Sequence, residues 1–247
     1  MKTPLIFDVK RTSTVDGPGL RTVIFFKGCN LDCFWCHNPE GKDPAAQVAK
    51  FCEKCIGCGT CKNLSEGEKA YDVCPQNAIK LYGKSYSCEE ILKIILADKM
   101  FFDAAGGGVT FSGGECMLYP DFLAEISKKC QENKISVAID TAGCVPFSSF
   151  EKVLPFVDVF LYDIKSLDPM LHKQGTGIDN TLILENLDKL IGTKKRIIVR
   201  IPKIPNFNEG NEIDRIIRYC KDRSLEYEVL EYHESGISKG EAINTEI

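Results

Sequence analysis

Along this chain six short apolar segments alternate with polar loops and with five runs of helical spacing. No other feature of the sequence restricts the fold as much. The segments rich in β-branched and aromatic residues lie at 20–26, 109–111, 135–139, 157–161, 197–201 and 227–232. The helical runs between them carry Ile91, Leu92, Ile94 and Ile95, then Phe122, Leu123, Ile126 and Cys130. Residues 148–154 follow, then Leu184, Leu187, Leu190 and Ile191 stopped by Gly192, then Ile213, Ile216, Ile217 and Cys220. Ser87-Cys88-Glu89-Glu90 is a capping box that starts the first of these helices. Alternating strands and helices predict a parallel sheet joined by right-handed crossovers. A closed barrel of this kind needs eight units, so six predict an α/β fold built as an open, partial (β/α)6 TIM-like barrel.

In such barrels the face at the strand C-termini carries the chemistry, and the polar motifs of this chain all fall there. Residues 27–40 (KGCNLDCFWCHNPE) follow the first strand, and Gly113-Gly114-Glu115 the second. Asp140-Thr141-Ala142-Gly143 follow the third, Asp163-Ile164-Lys165 the fourth, and Tyr232-His233 the last. Cys29, Cys33 and Cys36 give a C-x3-C-x2-C spacing, one thiolate short of the four ligands that structural zinc and ordinary iron–sulfur sites use. His37 is too near Cys36 to fold back as the fourth. Three thiolates leave one coordination position for a substrate; the competing reading is a zinc knuckle completed by a distant ligand.

Residues 45–85 have a different texture. Cys55, Cys58 and Cys61 stand at C-x2-C-x2-C spacing, with Cys52 before them and Cys74-Pro75 after. This approaches the ferredoxin pattern C-x2-C-x2-C-x3-C-P, with the last gap stretched by residues 63–72. One auxiliary [4Fe–4S] cluster on Cys55, Cys58, Cys61 and Cys74 is expected, Cys52 being a possible substitute and a structural zinc the alternative. The expected division is barrel at 1–44, insert at 45–85, and barrel again at 86–247.

With 247 residues and 44% hydrophobic content the chain can bury a full core. A net charge of −4 offers no basic surface for nucleic acid. No run of 18 apolar residues suggests a membrane span, and no N-terminal apolar stretch suggests export. Thirteen cysteines in a chain this long read as metal ligands rather than a disulfide framework, which predicts a soluble cytoplasmic protein of an anaerobic cell.

The C-x3-C-x2-C trio, flanked by DGPGLRTVIFFKGC and CHNPE between residues 16 and 40, resembles the radical S-adenosylmethionine (SAM) superfamily. Within it the chain is similar to the activating enzymes of glycyl radical enzymes, the group that contains pyruvate formate-lyase activase. The resemblance implies that Cys29, Cys33 and Cys36 bind three irons of a [4Fe–4S] cluster whose fourth iron is chelated by SAM. It implies an oxidoreductase that cleaves SAM to methionine and a 5′-deoxyadenosyl radical, which takes hydrogen from a glycine Cα of a partner enzyme. It further implies that Gly113, Gly114 and Glu115 meet the SAM ammonium, with Cys116 where the family usually has proline. Asp163, Ile164 and Lys165 would meet its carboxylate and ribose, and His233 the ribose. Trp35, beside Cys36 and His37, would meet the adenine. Asp140, Thr141 and Asp163 would hold a monovalent cation. Ferredoxin or flavodoxin would be the reductant, and the protein a monomer. Two other readings stand beside this one: a radical SAM enzyme acting on a small molecule, and an iron–sulfur electron-transfer protein. Cys88, Cys130, Cys144 and Cys220 show no ligand spacing, and His172 is expected at the surface.

Overall fold

The computed structural model describes residues 3–232 and 235–243. In chain order its strands are β1 (Leu5–Ser13), β2 (Arg21–Phe26), β3 (Gln47–Lys50), β4 (Ile79–Tyr82) and β5 (Lys84–Ser85). They continue with β6 (Gly108–Gly113), β7 (Ser136–Thr141), β8 (Val159–Asp163), β9 (Arg196–Lys203) and β10 (Glu226–Glu231). The helices are α1 (Ala70–Val73), α2 (Cys88–Leu96), α3 (Lys99–Ala105), α4 (Pro120–Glu132) and α5 (Phe147–Val153). The last four are α6 (Pro169–Thr176), α7 (Thr181–Gly192), α8 (Asn211–Asp222) and α9 (Ser235–Ile243).

The main sheet has the order β10-β9-β8-β7-β6-β2-β1-β5. Strands β2, β6, β7, β8, β9 and β10 pair in parallel, and they are the six expected from the sequence. Antiparallel β1 and the short β5 extend the sheet beyond β2. Strand β1 is absent from the sequence reading because LIFDVKRTS carries four polar residues in its second half and leaves Lys10, Arg11 and Thr12 exposed. Helices α3, α6 and α9 were likewise not anticipated. The capping box at Ser87 is present: its hydroxyl accepts from Glu90 N–H at 3.2 Å, and Glu90 Oε2 accepts from Ser87 N–H at 2.8 Å.

Side chains alternate across each strand. On β7, β8 and β9 one set (Val137, Ile139, Phe160, Tyr162, Ile197, Val199, Ile201) joins the large core under the helices. The other set begins with a small cluster of Ala138, Val159, Leu161 and Ile198. Continued by two residues along each strand, that second set reads Asp140, Asp163 and Arg200. One face of the sheet is therefore apolar low down and charged near the strand C-termini.

The DGPG turn closes the opposite end. Arg21 is buried, its Nε donating to Thr110 Oγ1 at 2.7 Å and its guanidinium to the carbonyls of Val109 (2.5 Å), Pro18 (3.0 Å) and Ser136 (3.1 Å). Burial lowers its pKa to about 10, which leaves it charged at neutral pH. Thr110 Oγ1 donates to the Asp16 carbonyl at 2.6 Å, and a Cβ on Gly17 would stand 3.6 Å from Leu161.

Residues 45–85 fold around the antiparallel pair β3–β4. Lys84 and Ser85, which the sequence reading places in the insert, pair instead with β1 of the main sheet. Phe7 of β1, Ala49, Phe51 and Tyr82 of the insert, and Ala242 of α9 make a second apolar cluster. Substituting Arg21→Leu leaves several buried carbonyl oxygens without a donor, each costing about 1–3 kcal/mol. We expect stability to fall by about 3 kcal/mol or more, read as a lower midpoint in urea denaturation.

Candidate active site

The loop after β2 is closed on itself by its own backbone. Gly28 N–H donates to Gly41 O at 2.8 Å and Cys29 N–H to Lys42 O at 2.9 Å. The wholly buried Lys27 ammonium donates to Glu40 O at 2.7 Å and to Gln47 Oε1 of β3 at 2.9 Å. The closed loop carries Cys29, Cys33 and Cys36 near enough to one another for their charges to interact. Burial, with the neighbouring Glu115 charge, pushes the Cys29 thiol up to about 12. Burial raises Cys33 to about 11 against the Lys165 charge, and it raises Cys36 as well. Thiols raised in this way are protonated at neutral pH, and thiolate ligation there must expel protons. As placed, no three His, Cys, Asp or Glu side chains among the described residues converge on one metal-ion position.

Lys165 faces this loop. Burial alone would lower its ammonium, but Asp163, 2.6 Å away, and then Cys33 outweigh burial and hold it above its ordinary value. Asn208, fully buried, fixes the Lys165 backbone by donating to its carbonyl at 2.8 Å. Ile164 is buried, and its N–H donates to Arg200 O at 3.0 Å.

The sequence reading gives the Gly113–Gly114 pair the task of letting a ligand come close. In the structure the missing Cβ atoms serve contact with the cysteine loop itself. At Gly113 (φ +124°) a Cβ would lie 2.3 Å from the Phe26 backbone, and at Gly114 it would lie 2.3 Å from Gly28 O and 2.5 Å from Gly41 O. Glu115 N–H donates to Gly28 O at 2.7 Å. The Glu115 carboxylate accepts from Thr141 Oγ1 (2.8 Å), Met117 N–H (3.0 Å) and Ala142 N–H (3.0 Å), and burial raises its pKa to about 7. It rivets the loop after β6 to the loop after β7. Cys116 is fully buried, its thiol near the carbonyls of Phe111 and Asp140.

Arg200 is the functional-looking residue that sequence reasoning missed. Its guanidinium lies 3.4 Å from Asp140 and 3.9 Å from Asp16, and its Nε is buried without a hydrogen-bond partner. Burial opposes its charge, but Asp140, Asp163 and Asp16 raise its pKa in the balance. Ser112 Oγ donates to Asp140 at 2.7 Å. A cation among Ile198, Val199, Ile201 and the other apolar residues of β9 was the available signal, since strand alternation places position 200 with 198.

Trp35 lies against Phe207 (centroids 4.4 Å apart) and edge-on to the exposed Phe34 (4.7 Å). Gly175 makes room, because a Cβ there would stand 2.4 Å from Phe207 and 2.6 Å from Trp35. His37 lies beside α9, its carbonyl accepting from Lys239 at 3.3 Å. Lys239 also pairs with Glu40 at 3.0 Å. His233 lies outside the described residues. His172, expected at the surface, is instead buried at 1% exposure within α6.

In the insert Cys55, Cys58, Cys61 and Cys74 all line one cavity, together with Lys50, Pro75 and Ile79. Residues 63–69 make a turn that leads into α1, which returns Cys74 to the others despite the stretched spacing. A hydrogen bond with Thr60 lowers the Cys58 thiol. Some burial opposes ionisation of Cys74, but the amides of Gln76, Ala78 and Ile79 prevail and lower it. Both thiols are biased toward the thiolate that metal ligation needs. Cys52, exposed on the turn Cys52–Lys54, is not among the cavity-lining residues.

The chain belongs to the radical SAM superfamily, whose family model matches residues 23–220. Among curated relatives it is 40% identical to the (2S)-3-sulfopropanediol dehydratase activating enzyme of Klebsiella oxytoca, over 83% of this chain and 73% of that protein. It is 36% identical to the trans-4-hydroxy-L-proline dehydratase activating enzyme of Clostridioides difficile, over 97% and 88%. With the 4-hydroxyphenylacetate decarboxylase activating enzyme of C. difficile strain 630 the identity is 37%, over 95% and 84%. The fold is that of Streptococcus suis SuiB, solved with its precursor peptide SuiA: TM-score 0.61 at 15% identity, over 91% of this chain and 42% of that one. Like these curated relatives the protein is an activating enzyme of a glycyl radical enzyme, an oxidoreductase that uses a [4Fe–4S] cluster to cleave SAM to a radical. The small-molecule and electron-transfer readings have no counterpart among the three.

Gly114→Ala drives a methyl group into two carbonyls of the cysteine loop and should cost most of the iron bound there. Gly192→Ala, where nothing lies within 4 Å, should cost none. Iron and sulfide per chain after anaerobic reconstitution distinguish the two.

Proposed function

We propose that Cys29, Cys33 and Cys36 hold the SAM-cleaving cluster and that Cys55, Cys58, Cys61 and Cys74 hold an auxiliary [4Fe–4S] cluster. The observation that carries the first assignment is the closed loop that brings three thiols near the Lys165 ammonium. When bound, the cluster supplies the one electron that splits the SAM sulfonium into methionine and the 5′-deoxyadenosyl radical, which removes hydrogen from a glycine Cα of the partner. This chain's side chains position and shield. Lys165 takes the SAM carboxylate, released to it from Asp163. The Gly113–Glu115 turn faces the ammonium, with Glu115 acting chiefly by holding the turn to Thr141 and Ala142. Trp35, with His37 beside it, borders the adenine, and His233 the ribose. A monovalent cation at Asp140, Thr141 and Asp163 shares Asp140 with Arg200.

The second assignment rests on four thiols lining one cavity, two of them biased toward thiolate. Ferredoxin or flavodoxin would supply the electron, and the auxiliary cluster would serve either as its relay or in docking the partner. The protein works as a monomer in the cytoplasm of an anaerobic cell; no described helix is long and apolar enough to cross a membrane. Residues 45–82 act as one module on the barrel.

Two clusters bring about eight irons per chain. Cys58→Ser with Cys74→Ser should leave about four iron atoms and an EPR signal that still changes on adding SAM. Cys29→Ala should also leave about four, with that response lost. Zinc in place of iron, or a SAM response that survives Cys29→Ala, overturns the assignment. Incubation with SAM, dithionite and the partner enzyme should give a glycine-centred EPR signal on the partner.

A further inference from the structure

The cysteine loop leans on the C-terminal end of α6. A helix ends with carbonyls that have no partner inside the helix, and here two of them accept from the loop. Thr176 O accepts from Asp32 N–H at 2.8 Å and Gly175 O from Phe34 N–H at 3.2 Å. Three more loop amides are also spent on oxygen: Gly28 on Gly41 O, Cys29 on Lys42 O, and Cys36 on Cys33 O. Against these five, two amides point at cysteine sulfur: Leu31 N–H, 3.4 Å from Cys29 Sγ, and Asn38 N–H toward Cys36.

Iron–sulfur reduction potentials depend on hydrogen bonds to the sulfurs and on nearby charge. Each N–H aimed at sulfur stabilises the reduced, more negative cluster; each N–H held by a carbonyl does not. The C-terminal end of a helix also carries partial negative charge, which makes the added electron less welcome. Both effects lower the potential, the direction needed for a centre that must reduce a sulfonium. Lys165 acts in the opposite sense, with Asp163 offsetting its charge.

The end of α6 is itself locked. His172 Nδ1 lies 2.6 Å from the Ile178 carbonyl oxygen, which has no proton to give, so Nδ1 carries the hydrogen. Thr176 Oγ1 stands 2.9 Å from His172 O and 3.0 Å from Ile178 O. We propose that His172 and Thr176 are positioning residues that keep the potential of the loop's cluster low, by fixing the α6 carbonyls that hold the Asp32 and Phe34 amides away from sulfur. The proposal rests on assigning that cluster to Cys29, Cys33 and Cys36.

The test is a potentiometric titration of the reconstituted holoprotein followed by EPR, using the signal that changes on adding SAM. His172→Phe and Thr176→Val should each raise its midpoint, by about tenfold in the one-electron equilibrium constant or about 59 mV. His172→Asn, whose amide N–H can replace Nδ1–H, should return the midpoint toward wild type. An unmoved midpoint in both the Phe and Val variants, with iron content retained, overturns the proposal. So does an Asn variant displaced as far as Phe. If His172→Phe does not load iron, Thr176→Val removes only a hydroxyl and carries the same expectation. Failure of the underlying assignment shows separately, as a SAM-sensitive signal that persists in Cys29→Ala.

Discussion

Everything near the mouth of this barrel serves one requirement: three thiols on an irregular loop must be held in one arrangement before anything binds them. A loop lacks the repeating hydrogen bonds that hold a helix or strand. This one borrows its stability from its neighbours, each bond contributing on the order of 1 kcal/mol net. Its two ends are joined through Gly28, Gly41, Cys29 and Lys42, and Lys27 reaches across to the Glu40 carbonyl. The glycines after β6 press on it, the end of α6 accepts its amides, and Lys239 of α9 holds Glu40. Sheet, insert and last helix thus meet on a single segment of backbone.

The charges of the mouth follow from the two-residue period of the strands. Asp140, Asp163 and Arg200 sit two residues beyond Ala138, Leu161 and Ile198, so the face that is apolar below becomes ionic above without a change of direction. Asp16 joins from the DGPG turn and Lys165 from the loop after β8. Three carboxylates and two cations nearly cancel, which is how so many charges survive burial. A zwitterionic amino-acid group can enter such a lattice by exchanging partners, with little change in net charge.

Much of this was legible in the residues. The six parallel strands follow from apolar runs punctuated by polar motifs, and the convergence of those motifs at one end follows from the parallel arrangement. The capping box at Ser87 was readable because its chemistry is local. What escaped was either non-local or disguised. Strand β1 escaped because Asp8, Lys10, Arg11 and Thr12 face solvent and break the apolar run. Helix α6 escaped because PMLHKQGT lacks an apolar stripe, and with it went the burial of His172. Arg200 looks like a lapse in an apolar strand until the sheet shows what lies opposite. The glycines of GGE are evident in the sequence, but the loop backbone they press on comes from residues 28 and 41, about 70 to 90 positions away.

The Arg21 guanidinium ties the turn before β2 to the starts of β6 and β7, donating to the Pro18, Val109 and Ser136 carbonyls. The two ends of the sheet are therefore secured by different means: one buried side chain at the strand starts, and a mesh of backbone bonds around the cysteine loop at the other end. Loss of the loop's order then need not cost the sheet, so a chain that loads no iron can still be folded.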